Sequence, residues 1–148
     1  ITEAVARQNG YDGAMRHLPR PKAEAIYRAI YWTKPAFDQV ATLAPRLAIE
    51  LLDRGVNMGP AVASGFLQRA LNALNRNGRD FSDLVVDRQI GPRTLEALTA
   101  FLHVRGTKGE KVLRKAVDAL QGAHYIQLAE ARPSQEAFAY GWIANRIG

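Results

Sequence analysis

With 148 residues, 47% hydrophobic and 23% charged side chains, the chain reads as one soluble globular domain, or a domain with a small appended lobe, able to bury about 70% of its unfolded surface. Twenty basic against fourteen acidic side chains give +6, which favours an anionic partner such as nucleic acid, an acidic polymer or a cell envelope. No apolar run approaches the ~18 residues of a membrane span, and the lack of cysteine excludes disulfides and thiolate metal sites.

In chain order, residues 2–9 predict a short helix stopped by Gly10, and the Pro19-Arg20-Pro21 cluster predicts irregular chain before the next element. Ala23, Ile26, Tyr27, Ile30 and Tyr31 form one helical stripe that ends at Lys34-Pro35. Core packing is the default for Tyr27, whereas Trp32 lies past the stripe and suits a groove wall. Phe37, Val40 and Leu43 predict one further turn. Leu47, Ala48, Leu51 and Leu52 line a helix ending near Gly55.

The organising stretch follows, Asp53-Arg54-Gly55-Val56-Asn57-Met58-Gly59-Pro60. It predicts a compact corner in which Asn57 sits in the turn and Pro60 opens the next helix. That helix carries Val62, Phe66, Leu67, Ala70, Leu71 and Leu74 and is expected to be the central, most buried one.

Asn75-Arg76-Asn77-Gly78 is a turn signal, and Leu84-Val85-Val86 predicts a small hairpin or an extended loop over residues 79–90. Gly91-Pro92 opens a helix with Leu95, Leu98, Phe101 and Leu102 as its apolar side. Thr107 and Glu110 have the spacing of a capping box starting a separate long helix up to Arg132-Pro133, and Ser134-Gln135-Glu136 starts the last one. The sum is an all-α, α-dominated chain of six to seven helices with at most one hairpin.

His17, His103 and His124 lack metal-ligand spacing, so no metal site and no cofactor are expected. There is no Gly-x-Ser-x-Gly elbow and no phosphate loop. The basic run from Arg105 to Lys115 fits a solvated surface better than a nucleic-acid face, so a nucleic-acid-binding helical domain ranks last among the readings. Tyr31 and Trp32 have the residue types that present a flat apolar face to a sugar ring.

Ile26-Tyr27-Arg28 with Tyr31-Trp32, then Asp53 with Val56-Asn57-Met58-Gly59, Leu67-Gln68-Arg69-Ala70-Leu71, Ile90-Gly91-Pro92 and Phe138 with Gly141-Trp142 and Arg146 occur in the order and spacing of a known family. The chain resembles glycoside hydrolase family 108 over nearly its whole length. Members are lysozyme-like N-acetylmuramidases, often of phage or prophage origin, some described as secretion activators. The resemblance implies a lysozyme-like fold acting on peptidoglycan glycan strands in or near a bacterial cell envelope or periplasm, or after export. It implies a muramidase half over residues 1–55 and a peptidoglycan-binding-like half over 56–148; a monomer is expected.

It also implies a substrate cleft built by Trp32, Tyr31, Asn57, Asp53 and Gln68, although Gln68 equally suits a polar tie between helices. No residue matches the family's Glu-Gly-Gly glutamate. Ile1-Thr2 aligns with the Ile-Thr that follows that motif, so the acid is expected ahead of Ile1, and no export signal is visible. Asp53 is the candidate second carboxylate, then Glu3. The family's Asp-Gly ahead of Ile-Gly-Pro is Asp87-Arg88 here. The runner-up reading is a non-catalytic peptidoglycan-binding module.

Overall fold

Two fourteen-residue helices, α4 (Pro45–Met58) and α5 (Pro60–Ala73), meet at a single residue, Gly59, in the computed structural model, which describes residues 1–148. Gly59 has φ 94° and ψ 139°, a conformation that a Cβ would oppose. The corner is therefore one residue long. Asp53, Gly55 and Asn57 all lie inside α4 rather than in a turn, and the Asn57 side chain donates to the Asp53 carbonyl at 2.8 Å, one helical turn back. Gly55 serves packing instead: a Cβ there would stand 3.1 Å from the Phe37 ring.

Ahead of this pair lie α1 (Glu3–Gln8), α2 (Arg20–Arg28) and α3 (Phe37–Leu43). Thr2 caps α1 by accepting from the Val5 N–H at 3.3 Å. A wide π turn, Ala29–Thr33, extends α2 and closes with the Lys34 N–H on the Ala29 carbonyl at 2.9 Å.

Helix α5 is the centre, as its pattern predicts, with every residue from Ala63 to Gln68 buried. Around it α3 contributes Phe37 and Val40, α4 contributes Leu47, Ala48 and Leu51, and α6 (Pro92–Ala131) contributes Leu98, Phe101, Leu113 and Val117. Each of these leucines, valines and phenylalanines stabilises the fold by about 1.5–3 kcal/mol relative to exposure.

The stretch predicted as two helices is two helical runs, residues 92–105 and 107–131, joined end to end at a break at Gly106, φ 62° and ψ −155°. The expected Thr107–Glu110 box does not form. Glu110 instead accepts from the Leu47 N–H at 3.3 Å, capping α4, whose own N-cap residue, Ala44, has no side-chain acceptor. The chain ends in a 3-10 turn, Pro133–Gln135, and α7 (Glu136–Arg146). Seven α-helices and no strand make the fold all-α, and no helix is long and apolar enough to cross a membrane.

Of the two expectations for residues 79–90, the extended loop forms and the hairpin does not. No strand pairs with it because side chains of α5 take that place. Asn75 donates to the Phe81 carbonyl at 2.6 Å and accepts from the Phe81 N–H at 3.1 Å. Asn72 does the same for Leu84, at 2.8 and 2.7 Å. Gln68 donates to the Gln89 carbonyl and accepts from the Arg88 N–H, both at 2.9 Å. Gln68 and Asn72 lie one turn apart on α5 and Asn75 just past its C-cap, so one face of α5 and the residue after it supply the ladder that an adjacent strand would have supplied.

Gly59→Ala and Gly106→Ala are each expected to lower stability by about 1–3 kcal/mol through left-handed strain. Gly141→Ala, in α7 with open space around it, is expected to raise stability by up to about 1 kcal/mol. Denaturant midpoints of the three variants check all of this.

Candidate functional site

The π turn holds aromatic residues against α4. Tyr27 and Tyr31 have ring centroids 5.2 Å apart, and together with Arg28 and Trp32 they wall a cavity of about 400 Å³ whose floor is Ile49, Leu52 and Val56. Apolar floor residues at i, i+3 and i+7 define one face of α4. The result is an apolar shelf open to solvent: Tyr27 is 44% and Ile49 62% exposed. Tyr27, expected in the core, is thus on the surface, because only Ile26 of its helical turn faces inward.

A second face of α4, turned by about 100° per residue, carries Glu50, Asp53, Arg54 and Asn57. Glu50, Asp53 and Arg54 line a cavity of about 480 Å³ shared with Lys111, Arg114, Lys115 and Asp118 of α6 and with residues 144–148. Arg54 is buried and donates to Glu50 at 3.2 Å and Asp118 at 2.7 Å, while its Nε has no partner. Arg114 also pairs with Glu50. Asp53 is exposed and pairs with Arg146 of α7 at 3.3 Å.

Trp32 and Asn57, expected to border one trench, do not. Trp32 and Tyr31 line the shelf, whereas Asn57 lines a separate depression with Met58, His124, Trp142 and Arg146. The step of about 100° from Val56 to Asn57 separates them, and Asp53 stands on the ridge between. Glu3 sits on α1, exposed and paired with Arg7 at 2.9 Å, and lines neither cavity. Gln68 is buried and lines neither; its amide is spent on the loop, on Asp87 at 2.8 Å and on Thr94 at 3.2 Å.

That loop bounds a cavity of about 620 Å³, lined by Ser82, Asp83, Asp87, Arg93, Thr94 and Glu96 among others. Gln68, then the Gln89 backbone, holds the Asp87 carboxyl below its ordinary value. Arg88, which stands where the resembled family has glycine, has φ 64°. An L-residue costs about 1–2 kcal/mol in that region. Its stem crosses α5 at Gly65, where a Cβ would meet it at 3.2 Å. His124 packs edge-on against Phe66 with centroids 5.7 Å apart; burial, then the Arg88 charge, lowers its pKa. It behaves as the half-buried imidazole its stripe position suggests.

Sequence reasoning missed the ion network that joins α4 to α6. The Glu50–Arg54 spacing was a visible signal, but Arg114–Glu50 and Arg54–Asp118 join residues 64 apart.

Residues 1–59 match the family described as Glycosyl hydrolase 108, and residues 62–147 match the Predicted Peptidoglycan domain. The two matches meet at the Gly59 corner. No curated protein matches the chain.

Gln68→Leu is expected to cost about 2 kcal/mol from the lost loop bonds and to raise the Asp87 pKa. Because the folded value is depressed, the Asp87 contribution is present above 3.8 and lost as pH falls through the folded pKa, so this acid-side dependence shrinks in the variant. Arg88→Gln should raise the His124 pKa without restoring its ordinary value of 6.5, since burial remains. NMR titration of the two side chains reads both shifts.

Proposed function

We propose that the chain, which belongs to the predicted peptidoglycan domain family and matches glycosyl hydrolase 108 over residues 1–59, is a lysozyme-type N-acetylmuramidase cutting the β-1,4 bond between N-acetylmuramic acid and N-acetylglucosamine. It is a peptidoglycan hydrolase, a glycoside hydrolase of cell-wall context. The observation that supports the site assignment is the aromatic shelf of Tyr27, Tyr31 and Trp32 on α4. Such a surface stacks on the apolar face of a pyranose ring and leaves its hydroxyls at the polar edges.

Bond cleavage needs a protonated carboxyl beside the glycosidic oxygen and a carboxylate, or a polarised water, beside the anomeric carbon. Asp53, on the ridge next to the shelf, is assigned the second role, with Arg146 holding it; Glu3 is the reserve candidate. The carboxylates near the shelf argue against a proton donor among them. Glu50 is shared by two arginines and Asp53 is exposed and paired, whereas a general acid needs an apolar, uncompensated setting. The resemblance to the family's Glu-Gly-Gly motif assigns the donor to a glutamate ahead of Ile1. Residues 1–55 form the cleaving half in this reading and residues 56–148 the binding half.

The test is digestion of purified peptidoglycan by the protein together with its preceding segment, followed by borohydride reduction and sugar analysis. Reduced muramic acid is the expected new end. Reduced glucosamine or anhydro ends overturn the bond assignment, and no new ends at any pH between about 4 and 8, where carboxylates and histidine titrate, leaves a binding module. Tyr27→Ala should lower kcat/KM about tenfold, the value of one stacked ring. Asp53→Asn should lower kcat about a hundredfold with KM unchanged; wild-type kcat would move the role to Glu3.

A further inference from the structure

We infer that the cavity between α4, α6 and the C-terminal segment is a subsite for the stem-peptide carboxylates of peptidoglycan, with Lys111 and Lys115 as the groups that bind them. The inference rests on the reading that the shelf takes the glycan. The cavity holds five cations, Arg54, Lys111, Arg114, Lys115 and Arg146, against the carboxylates Glu50, Asp53 and Asp118. Each of these carboxylates already has an arginine: Glu50 has Arg54 and Arg114, Asp118 has Arg54, and Asp53 has Arg146. Lys111 and Lys115 form no ion pair, and they lie one turn apart on the same side of α6. Two ammonium groups with no counter-charge, at the rim of a cavity whose acids are all neutralised, make a receptor for carboxylate.

The place of this cavity fits the polymer. Ile49 belongs to both the shelf and the basic cavity, so the two are neighbours across α4. Stem peptides leave the glycan at the lactyl group of muramic acid and carry free carboxylates. A peptide of about four residues extends about 13 Å, enough to cross a helix about 10 Å wide. A strand lying on Tyr27, Tyr31 and Trp32 can thus place a stem over the α4 ridge and its carboxylates between the lysines.

The experiment measures binding of four probes by the whole chain: a soluble stem peptide, the same peptide with its carboxylates amidated, glycan strands stripped of peptide, and a DNA duplex. In the wild type the stem peptide should bind and its amidated form should bind about tenfold more weakly. The K111Q/K115Q variant, altered only at exposed side chains, should lose about the same factor for the stem peptide and keep full affinity for stripped glycan. Equal binding of the two peptides, an unchanged variant, or a parallel loss on stripped glycan overturns the assignment. A DNA duplex held through the same lysines more tightly than the peptide overturns it too, in favour of a nucleic-acid face. If stripped glycan fails to bind the wild type while the peptide results hold, the shelf reading fails and this one stands.

Discussion

Helix α5 must be apolar enough to be the buried centre of the fold and polar enough to hold an unpaired stretch of backbone, and the rest of the structure depends on how it does both. Leu67, Leu71, Phe66 and Ala70 satisfy the first requirement. Gln68 and Asn72, with Asn75 just past the helix end, satisfy the second by offering each of three loop residues, or adjacent pairs, both a donor and an acceptor. A buried amide left unpaired costs about 1–3 kcal/mol, so each of the three tolerates little displacement of the chain it holds. The loop is irregular in conformation yet fixed in position, and it walls a cavity of about 620 Å³. An extended segment without partner strands needs such a surrogate, because buried backbone polar groups are otherwise unsatisfied.

The Gly59 corner sets the second constraint. It turns the chain sharply enough for α4 to pack against α5, which leaves α4 as a ridge with an apolar slope toward Trp32 and a charged slope toward α6. The charged slope is built by ion pairs that straddle the two matched regions: Glu50 and Arg54 lie in residues 1–59, Arg114 and Asp118 in residues 62–147. The buried Arg54 guanidinium makes this join costly to open, since removing one partner of a buried pair costs about 3–5 kcal/mol.

Much of the fold could be read from periodicity and punctuation. The stripes of α4 and α5, the helix start at Pro60 and the all-α class follow from apolar spacing and from Gly and Pro alone. Less was legible where the decisive partner lies far along the chain. Glu110 has the spacing to cap its own helix, and nothing local says that Leu47 would take it. Tyr27 has core spacing, but Ile26 alone of its helix is buried, and Tyr27 lines the open shelf beside the π turn. For the site, Trp32 and Tyr31 are placed together as their adjacency suggests. Asn57 and Asp53 are separated from them because consecutive helical residues point about 100° apart, a fact hidden while that stretch read as a turn. Gln68 suits both a cleft wall and a polar tie by sequence, and the tie to the loop is the one its geometry fits.

The break at Gly106 has an evolutionary consequence. In an uninterrupted helix one inserted residue would rotate everything beyond it by about 100° and undo both packed faces together. Gly106 uncouples the register of residues 92–105, which pack beside the loop, from that of residues 107–131, which carry the lysines and support α7. Insertions and deletions at this joint can therefore accumulate without disturbing either half, and the two ends of the long element are free to diversify at separate rates.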